Sequence, residues 1–177
     1  MKKYIGLVLV AMSGCILTVN AQQSFSYKNP LLPTELRVND LLDRMTLEEK
    51  IAQIRHLHSW DVFDGQVLNQ EKLDKMCGGI GYGFFEGFPL TAASCRKTFR
   101  EIQTYMVEKT RLGIPGFPVA ESLHGVVHEG TTIYPQNIAM GSTFNPELAY
   151  EKTKHIAGEL NTMGVKQVLA PFSDVVR

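Results

Sequence analysis

Phe117-Pro118-Val119-Ala120-Glu121-Ser122-Leu123-His124-Gly125 sets a carboxylate and an imidazole close together where an apolar run ends and a glycine lets the chain turn. In proteins of alternating strands and helices, polar side chains at strand C-termini are the ones that meet ligands. Glu121 can accept two short charge-assisted bonds from neighbouring hydroxyls. His124 can line the same site, or support its loop from a buried position. Two other groups invite a chemical reading. His56 and His58 stand two apart near an expected helix end with no third ligand at suitable spacing, so no metal site is expected. Gly78-Gly79-Ile80-Gly81 precedes its strand, whereas a phosphate-cradling loop follows one.

The elements that must position Glu121 follow from periodicity. Leu36, Leu41, Leu42 and Met45 have helical spacing. Thr46-Leu47-Glu48-Glu49 is a capping box opening a helix that carries Ile51 and Ile54 and ends near His56. A short helix over 71–76 stops at Gly78-Gly79, and 80–85 reads as a buried strand. Thr91 caps a long helix reaching Lys109, and 117–120 is the next strand. The stretch 133–140 is an apolar connection. Asn145-Pro146-Glu147 then starts a helix that Gly164 ends, and 165–169 is a strand. This alternation predicts right-handed β/α units on a parallel sheet. About three strands are legible, against the eight of a complete barrel of about 250 residues. The expected fold class is therefore α/β, an incomplete N-terminal part of a (β/α)8 TIM-type barrel.

Eighteen basic and eighteen acidic side chains in 177 residues cancel, which gives no reason to expect nucleic acid or an anionic membrane as a partner. Residues 1–21 read as a signal peptide: Lys2 and Lys3, an apolar stretch from Ile5 to Val19, and small residues before a cut after Ala21. Export to the periplasm or medium follows, with no membrane span in the mature chain. Ser13-Gly14-Cys15 leaves lipoprotein processing as an alternative. Residues 22–38 form a polar lead-in, and 39–177 the barrel piece. Cys77 and Cys95 are expected to stay unpaired.

With the motifs placed, the chain resembles glycoside hydrolase family 3. The resemblance rests on Asp43-Arg44-Met45-Thr46-Leu47-Glu48-Glu49-Lys50-Ile51-Ala52-Gln53, Glu121-Ser122-Leu123-His124-Gly125, Thr132-Ile133-Tyr134-Pro135-Gln136, Ser142-Thr143-Phe144-Asn145-Pro146-Glu147-Leu148 and Val168-Leu169-Ala170-Pro171, in family order. It implies a retaining exo-β-glycosidase of β-glucosidase or β-xylosidase type, without metal or organic cofactor, acting on an oligosaccharide or β-glycoside. It also implies that the aspartate nucleophile, the acid/base residue and a sugar-binding arginine segment lie from Arg177 onward. Glu121 matches the carboxylate that grips the nonreducing sugar, and His124 the adjoining loop position. Glutamate where the family often has aspartate resembles the xylosidase-like and related glucosidase branches. Retaining glycosidases need two carboxyl groups about 5 Å apart. Glu121 with Asp174 is the one such pairing the sequence offers, but loop capping suits Asp174 better. No residue is therefore expected to be catalytic. The expected role is an N-terminal piece, inactive and poorly folded in isolation. The alternatives are a non-catalytic carbohydrate-binding or structural remnant, and an unrelated barrel enzyme such as an isomerase or aldolase. Oligomeric state is not legible.

Overall fold

The structure is a computed structural model that describes residues 26–87 and 91–172. The leader with Cys15, and Asp174 with Arg177, lie outside the described residues. The chain divides into two units, Met1–Asp43 and Arg44–Arg177. In the first, a turn at Ser26–Lys28 leads to α1 (Thr34–Arg44), whose last residue opens the second unit. The Tyr27 amide donates to Asp40 Oδ2 at 2.9 Å, and Arg37 Nε donates to the Tyr27 carbonyl at 2.8 Å. The turn is thereby tied to the helix.

The second unit begins with α2 (Leu47–Gln53), opened by the expected capping box. The Glu49 amide donates to Thr46 Oγ1 at 3.2 Å, and the Thr46 amide to Glu49 Oε2 at 2.9 Å. The same carboxylate takes a two-pronged guanidinium. Arg111 Nε donates to Oε1 at 2.8 Å and Nη2 to Oε2 at 2.5 Å, while Nη2 also reaches the Arg44 carbonyl at 2.8 Å. Such planar pairs are stronger than neutral bonds. Arg111 holds the buried Glu49 carboxyl below its ordinary range, against the opposing effect of burial.

The helix stops at Gln53, and His56–His58 form β1, a strand where the sequence predicted a helix end. Three residues with one apolar member are too few to show a period of two. Next come α3 (Ser59–Val62) and an unforeseen hairpin of β2 (Phe63–Asp64) and β3 (Val67–Leu68), turning at Gly65. Then α4 (Gln70–Cys77) is capped by Asn69, which accepts from the Lys72 amide at 3.0 Å, and is ended by left-handed Gly78. The strand predicted at 80–85 is shorter and later, β4 (Phe84–Glu86). Gly81 takes a positive φ of 85°, outside the strand region, so the run 80–83 serves as an approach to it.

After β4, α5 (Ala92–Lys109) starts at Thr91 and β5 (Phe117–Glu121) follows. The apolar connection contains a short helix, α6 (Asn137–Gly141). Asn145 caps α7 (Pro146–Met163), accepting from the Leu148 amide at 3.0 Å, and β6 (Gln167–Leu169) closes the described order.

Strands β1, β4, β5 and β6 lie side by side in that order, all parallel, so the sheet has one strand more than was legible. Alternation sorts its two faces. Leu57 of β1 and Phe85 of β4 are fully buried in a core with Phe99 and Ile102 of α5 and Ile156 and Leu160 of α7. His56, Phe84 and Phe117 line the other face, with ring centroids 4.9 and 5.9 Å apart. Cys77 and Cys95 are both free and buried, and burial raises their thiol pKa values to about 12 and about 11.

Candidate functional site

Three neighbouring parallel strands end in polar residues: β1 in His58, β4 in Glu86 and β5 in Glu121. His58 and Glu86 are register partners, and Glu121 pairs with Leu169 on the other side of β5. Strand ends in a parallel sheet open toward the loops that follow them, and a cleft lies there. Its volume is about 390 Å³, and its lining includes His58, Trp60, Glu86, Val119, Glu121 and His128. Apolar Val119 and Met163 form part of the walls. A largely apolar cleft with a few convergent polar groups is the form of a small-molecule site.

Glu121 is exposed at the mouth of this cleft, and the loop behind it is firmly fastened. Gly125 takes a left-handed φ of 104°, and a Cβ there would overlap the Thr132 carbonyl. The Tyr134 amide donates to the His124 carbonyl at 2.7 Å. Thr131 Oγ1 donates to the Val126 carbonyl and, at 2.8 Å, to that of His128. Further along, Thr132 Oγ1 donates to Glu159 of α7 at 2.6 Å. Lys152 Nζ, buried beneath, donates to the Pro135 carbonyl at 3.0 Å and to Asn137 Oδ1 at 2.9 Å. The loop is thus pinned to the same helix at two points. His124 is absent from the cleft lining; its Nδ1 and Ser122 Oγ are buried without partners among the described residues.

Two residues the sequence reading passed over join Glu121. Glu86 Oε1 sits 3.0 Å from His56 Nδ1 and 3.3 Å from His58 Nδ1. The two histidines thus converge on one carboxylate oxygen. On the outer side, the His58 ring stacks on Trp60 at 4.4 Å and 7°. Glu86 was findable: it is a carboxylate directly after a Phe-Phe run, the rule that singles out Glu121. Trp60 had no such signal, because its place depends on β1, where the sequence predicts only a helix end.

Comparisons with known proteins bear on what this cleft serves. The family model described as "Glycosyl hydrolase family 3 N terminal domain" matches residues 46–177. A protein of Formosa agariphila described as "Putative beta-xylosidase" is 31% identical over 160 residues, 88% of this chain and 21% of that protein. A "Periplasmic beta-glucosidase" of Salmonella typhimurium is 27% identical over 177 residues, 99% of this chain and 21% of that protein. Among solved structures, a β-glucosidase from Erythrobacter marinus superposes with a TM-score of 0.68 at 26% identity, over 85% of this chain and 20% of that one. The chain spans about a fifth of the length of these relatives. The parallel sheet laid down in chain order is that of the N-terminal part of a TIM-type barrel. With residues 46–177 matched and the fold shared, the chain belongs to glycosyl hydrolase family 3.

Proposed function

We propose that this chain forms the early strands and sugar-gripping wall of an exported, retaining exo-β-glycosidase that removes terminal β-glucosyl or β-xylosyl residues. The observation that carries the reading is Glu121, exposed at the C-terminal end of β5 and lining the strand-end cleft. A carboxylate there accepts from two adjacent sugar hydroxyls, and the apolar walls take the ring. His124 supports the Glu121 loop through its carbonyl, which accepts from the Tyr134 amide. The signal-peptide reading of residues 1–21 and a periplasmic relative support export.

In this reading the catalytic carboxylate pair is not supplied by Glu121, and the chain by itself does not cleave. Titration with methyl β-glucoside and methyl β-xyloside, followed by saturation-transfer NMR, tests it. Glu121→Gln is expected to weaken binding about tenfold or more, equivalent to about 1.4 kcal/mol. The chain alone is expected to leave aryl β-glycosides intact. Turnover by the chain that Glu121→Gln abolishes would make Glu121 catalytic and overturn the assignment.

A further inference from the structure

Glu86 and Trp60 have no place in the reading of Glu121, yet both line its cleft. Glu86 is a partly exposed carboxylate whose Oε1 lies 3.0 and 3.3 Å from the Nδ1 atoms of the two β1 imidazoles, neither of which hydrogen-bonds to it among the described residues. Among the described residues no contact engages Oε2. A partly exposed carboxylate lining a cleft with an oxygen left open can accept from a ligand donor. The Nδ1 atoms of the two histidines face the carboxylate oxygen itself, and among the described residues no group of three His, Cys, Asp or Glu has metal-holding geometry.

Trp60 adds a second kind of contact. Its indole is 68% exposed, although one ring face is occupied by His58 in near-parallel stacking. An exposed indole offers an apolar ring surface that a ligand can cover. Stacking holds the ring in one orientation, so its free surface is a preset plate beside a carboxylate. A pyranose has that pair of features: an apolar face of C–H groups and a rim of hydroxyl donors.

Resting on the glycoside reading above, we propose that Glu86 and Trp60 form a second sugar contact in the Glu121 cleft. The indole lies against a pyranose C–H face, and Glu86 Oε2 accepts from one of its hydroxyls. The strand order makes the two contacts neighbours, since β4 lies beside β5. Two acidic side chains lining one cleft also set the substrate class. Neutral sugars donate to both, whereas a uronic acid brings a third negative charge and is disfavoured.

The chain's single tryptophan makes the test direct, because its fluorescence reports the site itself. Xylobiose and cellobiose are titrated into the 177-residue chain, and affinities of variants are measured by calorimetry. A saturable change in Trp60 emission is expected. Glu86→Gln and Trp60→Leu are each expected to weaken binding about tenfold, and an aldobiouronic acid is expected to bind more weakly than either neutral disaccharide. Trp60→Leu alters an exposed side chain and leaves the fold intact. It therefore decides the matter if Glu86→Gln disturbs the circular dichroism spectrum. Wild-type affinity in both variants, with binding lost in Glu121→Gln, overturns this proposal and leaves the glycoside reading standing. Binding of no sugar by a wild-type chain whose circular dichroism spectrum shows it folded overturns both.

Discussion

Glu121 can grip a ligand only if the backbone behind it stays in one conformation, and a single glycine largely decides that. Gly125 combines a φ of 104°, where side chains with a Cβ are strained, with direct approach to the Thr132 carbonyl. Gly125→Ala must therefore either move the Thr132 strand of the loop or flip its own backbone. It is expected to cost about 2–4 kcal/mol, the range of a strained backbone site with a clash. It should also weaken sugar binding more than its distance from the cleft suggests. Thermal denaturation beside a sugar titration checks both effects; an unchanged melting temperature would show that the loop adapts freely. The same scale shows the reach of sequence reading. Glu121 stood out because an apolar run preceded it and a glycine followed. The Glu86 and Trp60 pair stayed hidden because it brings together the end of β4 and the short helix after β1, and which strands lie side by side is a tertiary property.

At the scale of elements, helix starts were the most legible features. Thr46, Thr91 and Asn145 all accept from backbone amides at the predicted caps. These signals are local, being chemistry among residues three apart. Strand β1 was lost because it is held by its neighbour instead of by its own pattern. Gly83 shows how closely that neighbour approaches. Its amide donates to the Ala52 carbonyl at 3.1 Å, the Phe84 amide donates to the Arg55 carbonyl at 3.3 Å, and a Cβ on Gly83 would overlap the Gln53 carbonyl. Gly83→Ala is therefore expected to push β4 away from the end of α2, at about 2–4 kcal/mol. Hydrogen exchange should locate the damage: amides of β1 and β4 lose protection while α7 keeps it. Uniform loss, or none, would mean that the packing at Gly83 is not what joins the two strands.

At the scale of the whole chain, the family and the barrel class were legible from motif order, and the placement of those motifs shows why their order matters. The Thr46–Glu49 and Arg111 segments are far apart in sequence yet bolted together, and the Thr132–Gln136 segment is tied to α7. The Glu49 bolt gives the chain a pH response of definite sign. Its folded-state pKa lies below the ordinary 4.5, so its contribution to stability is fully present above that value and is lost as pH falls through the lowered one. Denaturant midpoints measured from pH 7 downward should fall below about pH 4.5 in the wild type. In Arg111→Gln the chain should be less stable at neutral pH, with a flatter acid limb. Parallel limbs would place the acid sensitivity elsewhere. The bolt also has a consequence in time. Glu49 and Arg111 are 62 positions apart, so Glu49 leaves the ribosome long before its partner exists. Until then its carboxylate has only the capping box of its own helix. The ordering of α2 in this unit thus waits on a residue made after α5, and closing a loop of that length is an entropic cost met late in folding.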